Sequence, residues 1–452
     1  KFSPNALTMY LMDFGTNGLA PLSKLPQVAD TMLLDQTEKI SKFVRIMERE
    51  LNRRKKLLAD YGVGTLDLYR QASGQEEPAI VILLDSYEAF KEEAYEAELF
   101  KLLVRISREG LSIGVHLLMT AGRQTNLRAQ LYSNFKHQLS LPQNEAGEVR
   151  AIVGSTPLAM TMEDIKGRAL MKREEVDVIQ LALPVYGAND TQVLNNLRQA
   201  VASLQEAWTG QRPSAIPMVP EELTMEVFLN LPTTQEAIQN HALPIAISCE
   251  EAEIIPINLS TLKNIVVLSE GKQSLQYTIC HLVSVINHCL DNGHVLLVDS
   301  NEEYSFLKEK ANAYISGEEI LDLFSNLDKE ITNRKETPKD VQTFIVIPDL
   351  ASFVEKVSIS EDDFYQLYIN AYKYGLHFIT AGSKSVFFKV NPVIKVIKEN
   401  ITTAVIAMRL YDQSIVEHNS NNREKKLEWD QAYIYDKGRT QKVKLIKQEI
   451  EE

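Results

Sequence analysis

Continuous apolar runs alternate along the chain with stretches in which apolar residues recur every three or four positions. The runs include LTMYLMDFG (7–15), AIVILLDSY (79–87) and SIGVHLLMTAG (112–122). Such unbroken runs are typical of parallel strands that are covered on both faces. Between the first two runs, the apolar residues within 40–58 share one helical face. The pattern predicts an α/β fold with mostly parallel sheets covered by helices.

The same order of segments occurs a second time in the chain. HVLLVDSNE (294–302), TFIVIPDLASF (343–353) and YGLHFITAGSK (374–384) follow each other as the first three runs do. A repeat of this length predicts two tandem copies of one domain, because each copy is long enough for its own core. We expect the first domain at residues 1–209 and the second at residues 241–452.

The segment between the two predicted domains, residues 210–240, is marked by closely spaced prolines. Pro213, Pro217 and Pro220 lie within it. Proline lacks the amide donor that a helix interior or a central strand needs. The composition therefore predicts an extended interdomain connector.

The second copy contains an element that the first does not match. In residues 264–289 an apolar run leads through a Gly-Lys pair into a helical pattern, ahead of the repeated strands. Too few residues precede Asp13 to hold a counterpart. We expect the first domain of this chain to lack its opening strand, phosphate loop and helix.

The Gly-Lys pair is compared with the phosphate-binding loop G-x-x-x-x-G-K-[ST], or Walker A motif. In that motif backbone amides surround the phosphates, the lysine contacts the terminal phosphates and the hydroxyl binds Mg²⁺. Here Gly271 and Lys272 are in place, Gln273 replaces the hydroxyl residue and Ser274 comes one position late. Val266 stands where the first glycine is expected. The stretch is a degenerate Walker A candidate, and a plain strand-to-helix turn is the alternative.

A nucleotide site of this type also needs an aspartate at a strand end to hold Mg²⁺, followed by an acid that activates water. Asp85 and Asp349 are the candidates for the metal-side carboxylate, or Walker B position. They are followed by Ser86 and Leu350, which cannot act as general bases. Both copies therefore lack the catalytic acid, and we name no confident catalytic residue. For Asp349 a helix N-cap is an equally good interpretation.

The third part of such a site is a cationic or polar group after the next strand, near the γ-phosphate. The first copy offers Arg123 there, and the second has Ser383 beside Lys384. Arg123 is therefore a sensor or arginine-finger candidate, and an ordinary surface arginine is the alternative.

Charge and metal-binding residues exclude some classes of function. The 452 residues carry a formal net charge of −13, whereas nucleic-acid binders usually present a basic face. The cluster RRKK (53–56) is interpreted as a solvated helix face. His281 and His288 flank an apolar segment without metal-ligand spacing and are interpreted as helix-surface residues. We expect no nucleic-acid partner and no metal beyond Mg²⁺ at Asp85 and Asp349.

The motif order resembles the FtsK/SpoIIIE class of RecA-like motor ATPases. The resemblance rests on YLMDFGTNGL, VILLDSYEAF and GVHLLMTAGRQTNL, with the later Gly167-Arg168 and Gly438-Arg439 hairpins. Within the class, DFGTNGL, DQTEKISKF and RRKKLLADYGV look most like the membrane ATPases of Gram-positive type VII secretion. The resemblance covers essentially the whole chain and implies two tandem RecA-like (P-loop NTPase) domains.

The resemblance also implies a biological setting. It implies cytoplasmic domains of a membrane-anchored hexamer, small helical WXG100-type substrates and other secretion components as partners. It implies ATP and Mg²⁺ as ligands, bound weakly or not at all by the second domain. The implied role is substrate recognition and coupling of export, with little or no hydrolysis. Two alternatives stay open, a DNA translocase of the same class and an interaction module that binds no nucleotide.

Overall fold

The computed structural model describes residues 2–420, 422 and 424–448. The chain divides into two compact units, unit 1 (Lys1–Ile216) and unit 2 (Pro217–Glu452). The division lies within the segment predicted as the connector.

The elements of unit 1 are as follows. Its strands are β1 (Leu7–Asp13), β2 (Val28–Leu33), β3 (Ala79–Asp85), β4 (Val115–Met119), β5 (Leu139–Ser140), β6 (Arg168–Lys172) and β7 (Val176–Gln180). Its helices are α1 (Thr37–Asp60), α2 (Leu66–Ser73), α3 (Glu96–Glu109), α4 (Ala129–Tyr132), α5 (Ala146–Val153), α6 (Leu158–Thr161) and α7 (Asp190–Ala207). Short 3-10 turns lie at Ala20–Leu22, Tyr87–Phe90 and Gln124–Asn126.

The elements of unit 2 follow the same scheme with additions. Its strands are β8 (Ala242–Ser248), β9 (Ile254–Asn258), β10 (Ile265–Ser269), β11 (Gly293–Asp299), β12 (Ala313–Ser316), β13 (Gln342–Ile347), β14 (Leu376–Ser383), β15 (Thr403–Ala407), β16 (Gln431–Asp436) and β17 (Arg439–Lys444). Its helices are α8 (Met225–Leu229), α9 (Pro232–Gln239), α10 (Lys272–Cys289), α11 (Leu323–Glu336), α12 (Leu350–Lys356), α13 (Glu361–Asn370) and α14 (Pro392–Glu399). Its 3-10 turns lie at Ser305–Lys310, Gly317–Asp322, Ala371–Tyr374, Val386–Phe388 and Leu410–Asp412.

The sheets confirm the predicted α/β fold. In unit 1 the order β2-β1-β3-β4 is parallel throughout, and β5-β6-β7 form a separate antiparallel sheet. In unit 2 one sheet has the order β12-β11-β13-β14-β10-β15-β16-β17-β8-β9. It is parallel from β12 to β15 and antiparallel beyond. The order β12-β11-β13-β14 repeats that of β2-β1-β3-β4.

A difference between the units lies at the strand that precedes the phosphate-loop candidate. In unit 2, β10 pairs with β14 on one side and β15 on the other. Within the described part of unit 1, no strand pairs with the outer edge of β4. Leu118 on β4 is 60% exposed. The expected absence of an opening strand stays a prediction.

A buried arginine joins helix to sheet in both units. Arg54 on α1 is 1% exposed and donates to the carbonyls of Ile113 (3.0 Å) and Pro78 (2.7 Å). Arg334 on α11 donates to the carbonyls of Val341 and Gly375 in the same manner. A buried guanidinium is tolerated because its donors are satisfied by backbone oxygens and a carboxylate. The prediction of a solvated RRKK face is therefore wrong for Arg54, although Arg53 beside it is half exposed.

Two further expectations differ from the structure. His281 is fully buried inside unit 2, so its interpretation as a surface residue is wrong, whereas His288 is exposed. The His281 ring donates to the carbonyl of Ile245 and accepts from the amide of Ile446, so both ring nitrogens have a hydrogen-bond partner. The connector is not extended throughout, since α8 and α9 occupy residues 225–239 and bury Phe228. Helix formation there is possible because the three prolines all precede Thr224, whose side chain caps α8.

Candidate functional site

The Walker A candidate forms a two-residue loop. β10 ends at Ser269 and α10 begins at Lys272, so only Glu270 and Gly271 lie between strand and helix. The hydroxyl of Ser269 contacts the hydroxyl of Ser274 and accepts from the amide of Gly271 at 3.3 Å. A loop that surrounds phosphates with its backbone amides needs several residues between the strand and the lysine. This loop is too short for that task and is closed by its own serines.

The lysine of the loop already has an anionic partner. Lys272 Nζ lies 2.8 Å from Glu303 Oε2, and both side chains are more than one third exposed. Glu303 belongs to the turn that follows β11. Arg409 lies after β15 and is hydrogen-bonded to Asp412, which raises the pKa of Arg409. The charge of Glu270 in the loop raises the same pKa by a smaller amount. Lys272 and Arg409 are therefore each paired with a carboxylate of the protein.

Asp349 acts as the N-cap of α12. Its carboxylate accepts from the amides of Ala351 (3.0 Å) and Ser352 (3.3 Å) and from the Ser352 hydroxyl. Asn301 Nδ2 also donates to its Oδ2 at 3.3 Å. Both carboxylate oxygens are thus engaged by neighbouring donors. The capping interpretation describes the contacts of this residue, and its part in Mg²⁺ binding stays a prediction.

Asp85 has a different environment at the corresponding strand end of unit 1. Its Oδ1 accepts from the Thr120 hydroxyl at 2.6 Å. Its Oδ2 faces Gly15, where an added Cβ would lie only 2.6 Å away. The glycine therefore leaves one carboxylate oxygen of Asp85 without a side chain over it. Arg123 lies after the next strand, is 60% exposed and pairs with Glu148 at 3.1 Å.

The residues present in unit 2 do not fit a bound magnesium nucleotide. The short loop, Gln273 in place of a hydroxyl residue and the four donors on Asp349 all oppose it. Within the described residues, no group of three or more His, Cys, Asp or Glu side chains is arranged to hold a metal ion. We therefore derive no reaction step through a nucleotide in unit 2.

A second feature of unit 2 is a groove of about 320 Å³ beside α11. Its lining includes the apolar side chains of Leu296, Ile315, Leu323 and Leu327 and the charged side chain of Arg334. This volume lies at the lower end of the range for ligand-binding clefts, roughly 300–1,000 Å³. The remaining lining residues are His294, Val295, Asn312, Ala313, Asn326, Glu330, Thr343 and Leu376.

The corresponding region of unit 1 is filled. In unit 1 Tyr10 pairs with Asp30 across β1 and β2, and in unit 2 Leu296 pairs with Ala313 across β11 and β12. Tyr10 therefore corresponds to Leu296, and Asp30 corresponds to Ala313. Counting back from the two buried arginines, Phe43 corresponds to Leu323. Tyr10 and Phe43 stack edge-to-face with ring centroids 5.1 Å apart. Two aromatic side chains thus occupy the volume that unit 2 leaves open between two leucines.

A segment of the chain itself completes the filling of unit 1. The amide of Ile216 donates to Asp30 Oδ2 at 3.0 Å. The Ile216 side chain is 4% exposed and belongs to the core cluster that contains Phe43. Asp30 is held in turn by Lys39, at 2.6 Å. In unit 2 Ala313 stands at the position of Asp30, so the acceptor for such a segment is missing.

The sequence reasoning did not identify the groove, Ile216, Asn301 or Glu303 as site residues. A signal existed for the groove, because aligning the two copies places Leu296 and Leu323 opposite Tyr10 and Phe43. The contacts of Asn301 and Glu303 left no such signal, since they depend on the path of the turn after β11.

Comparison with known proteins finds sequences that are similar to this chain. Residues 1–159 match the profile of the FtsK/SpoIIIE family. The type VII secretion system protein EssC of Staphylococcus aureus (strain NCTC 8325 / PS 47) is 27% identical over 451 residues. The ESX secretion system protein YukB of Bacillus subtilis (strain 168) is 25% identical over 464 residues. The chain is a homologue of EssC and YukB.

These alignments include 98% of the chain and 30% of each relative, so the chain spans about a third of the length of these curated relatives. The resemblance to the ATPases of type VII secretion is confirmed. Within the described residues, no helix combines the length and the apolar character needed to cross a membrane.

Solved structures confirm the tandem ATPase fold. EssC of Geobacillus thermodenitrificans (ATPases 2 and 3) superposes with a TM-score of 0.85 at 24% identity, covering 99% of this chain and 86% of that one. EccC of Thermomonospora curvata (ATPases 2 and 3), in complex with a signal sequence peptide, gives 0.52 at 18% identity, covering 99% and 83%.

Proposed function

We propose that this chain forms two ATPase-like domains of a type VII secretion motor, and that unit 2 recognises export substrates. The substrates are small helical WXG100-type proteins, and a peptide segment of the substrate enters the groove beside α11. Unit 2 itself hydrolyses little or no ATP. In the full-length protein these are cytoplasmic domains of a membrane-anchored hexamer that works with other secretion components.

One observation carries this proposal. Equivalent grooves are filled in unit 1 by Tyr10, Phe43 and the protein's own Ile216, and left open in unit 2. A groove with seven apolar residues in its lining suits the apolar face of a peptide helix. The peptide complex of Thermomonospora EccC supports a peptide as the occupant.

The chemistry of the groove defines what the peptide must offer. Leu296, Leu323 and Leu327 favour an aliphatic side chain, because burial of apolar surface drives such contacts. Arg334 already donates to Glu330 and to backbone carbonyls, so it is not a free cation for an acidic residue. Recognition therefore depends on the shape and apolar character of the peptide more than on its charge.

The test converts the groove of unit 2 into that of unit 1. The double variant L296Y/L323F introduces the aromatic pair of unit 1, and L321Y places a tyrosine at a position that is 63% exposed and outside the groove. Binding of a fluorescent C-terminal peptide from a WXG100 protein of the same secretion locus is measured by anisotropy. We expect at least a tenfold loss of affinity in L296Y/L323F and none in L321Y, because only the former fills the groove. Unchanged binding in L296Y/L323F contradicts the proposed site.

The low activity of unit 2 has a separate test. Lys272→Ala removes the one lysine of the loop, which is already paired with Glu303. We expect ATP turnover of the chain to stay within about twofold of the unaltered protein, because this loop is too short to hold the phosphates. Calorimetry with ATP checks binding directly. A large loss of turnover in Lys272→Ala contradicts this part of the proposal.

A further inference from the structure

The turn that follows β11, residues 300–304, is held in place by a buried carboxylate. Asp299 is fully buried, and its Oδ2 accepts from the amide of Tyr304 (2.8 Å) and from the Tyr314 hydroxyl (3.1 Å). Hydrogen bonds to a buried carboxylate are among the stronger ones in proteins, so this turn has a fixed path.

The fixed turn directs two side chains to the two halves of the nucleotide-type site. Glu303 reaches Lys272, with the carboxylate oxygen 2.8 Å from the ammonium nitrogen. Asn301 reaches Asp349, with Nδ2 3.3 Å from Oδ2. In a working site of this fold the lysine meets phosphate and the aspartate faces the metal ion. The turn thus supplies an anion to the cationic residue and a donor to the anionic one.

We propose that the turn at residues 300–304 is a built-in substitute for magnesium and phosphate, which keeps the site of unit 2 occupied by the protein's own side chains. Glu303 competes with phosphate for Lys272, and Asn301 competes with a cation for Asp349. The proposal gives a structural reason for the low ATP hydrolysis proposed for unit 2, and it rests on that proposed function. It does not depend on peptide binding, since the groove and the turn are formed by different residues.

Unit 1 shows the same turn without these contacts. After β1 the sequence is FGTNG (14–18), which has no carboxylate. Asp13 accepts from the amide of Leu19, six residues later, at 2.9 Å, whereas Asp299 accepts from the amide of Tyr304, five residues later. At the position of Asn301 stands Gly15, whose missing side chain leaves Asp85 Oδ2 uncovered. The contacts of Glu303 and Asn301 therefore have no counterpart at Asn17 and Gly15 of unit 1.

The experiment measures binding of inorganic pyrophosphate to the full chain by calorimetry. Glu303→Gln removes the competing charge, and Glu302→Gln is the matched control, because it removes one charge from the adjacent exposed residue. We expect pyrophosphate affinity to rise about fivefold in Glu303→Gln, the effect of removing one exposed ion-pair partner. We expect no rise in Glu302→Gln, and loss of the gain in the double variant E303Q/K272M.

The outcomes separate this inference from the proposed function. An affinity in Glu303→Gln equal to that of the unaltered chain, or a gain of the same size in Glu302→Gln, overturns the role of Glu303. Lys272-dependent ATP turnover in the unaltered chain overturns instead the low activity proposed for unit 2. In the double variant E303Q/N301G, Mg²⁺ should strengthen pyrophosphate binding further, because Asp349 Oδ2 then keeps only the Ser352 hydroxyl as a donor. No effect of Mg²⁺ in that variant overturns the role of Asn301.

Discussion

Units 1 and 2 share one scaffold but differ in the region beside α1 in unit 1 and α11 in unit 2. In unit 1 this region holds Tyr10, Phe43 and Ile216, whereas in unit 2 it is lined by Leu296 and Leu323 and is open. Two leucines in place of aromatic side chains, together with the absence of a segment equivalent to Ile216 among the described residues of unit 2, accompany the change from a packed interior to a groove. The difference teaches that the binding surface of such a domain can be created or removed without altering its sheet.

At the carboxyl ends of the strands the two units differ in the opposite direction. Asp85 of unit 1 keeps one oxygen uncovered beside Gly15, while Asp349 of unit 2 is engaged by Ser352 and Asn301. Unit 1 therefore has a filled groove and an accessible carboxylate, and unit 2 has an open groove and a carboxylate that is covered.

The largest expected effect tests the scaffold that both units share. Arg54→Met leaves the buried carbonyls of Ile113 and Pro78 without their donor, and we expect a loss of about 3–5 kcal/mol in the free energy of unfolding of unit 1. Arg53→Met in the same helix is the control, with an expected loss below about 1 kcal/mol because Arg53 is half exposed. Urea unfolding in a Trp429→Phe background reports unit 1 through Trp208. Equal losses for the two arginines contradict the anchoring role.

The glycine next to each arginine anchor sharpens the comparison. Gly375 has a φ of +68°, and a Cβ there would lie 2.8 Å from the carbonyl oxygen of Val341. We expect Gly375→Ala to lower the stability of unit 2 by about 2–3 kcal/mol, because backbone strain and a close contact add. Gly438→Ala is the matched control, since φ is +88° but nothing lies within 4 Å, and about 1 kcal/mol is expected. Urea unfolding followed by Trp429 fluorescence in a Trp208→Phe background measures the stability of both variants. Similar losses of stability in the two variants contradict a cost from the contact with Val341.

Acid should affect unit 2 more than unit 1. Burial lowers the pKa of His281 to about 4, and its two ring nitrogens are a donor and an acceptor that suit the neutral form. The unfolded chain takes up the proton near pH 6.5, so this contribution is present above that pH and is lost as the pH falls towards 4. At pH 5 the loss is about 2 kcal/mol. The pKa of His377 is lowered to about 4 by the same cause, whereas His116 of unit 1 is only partly buried.

Urea unfolding of each unit between pH 7 and pH 5 measures this difference. His281→Gln should reduce the pH dependence of unit 2 by about half, because His377 still titrates. His294→Gln, at an exposed position, should leave the pH dependence unchanged. Equal pH dependence of the two units, or no change in His281→Gln, contradicts the assignment.

The sequence predicted the sheets because their signal is local. Unbroken apolar runs such as residues 79–87 became buried parallel strands, and the repeated order of runs became the repeated strand order. It failed where the partner is distant in sequence. In the sequence Arg54 stands beside Arg53 and Lys55 and is expected to be solvated. The carbonyls that accept its hydrogen bonds belong to Pro78 and Ile113, which are distant in the sequence. The pairing of Lys272 with Glu303 likewise depends on a turn that no periodic pattern describes.

The smallest expected effect separates the two strand-end aspartates. Asp349→Ala removes the N-cap of α12 and should lower the stability of unit 2 by about 1 kcal/mol, whereas Asp349→Asn should change it little, because asparagine caps equally well. Asp85→Asn should stay within about 0.5 kcal/mol, since its carboxylate caps no helix and is partly exposed. Urea unfolding monitored by the tryptophan of each unit measures all three. If Asp349→Asn costs as much as Asp349→Ala, the charge of Asp349 matters more than its capping, and the contrast between a structural carboxylate in unit 2 and an accessible one in unit 1 fails.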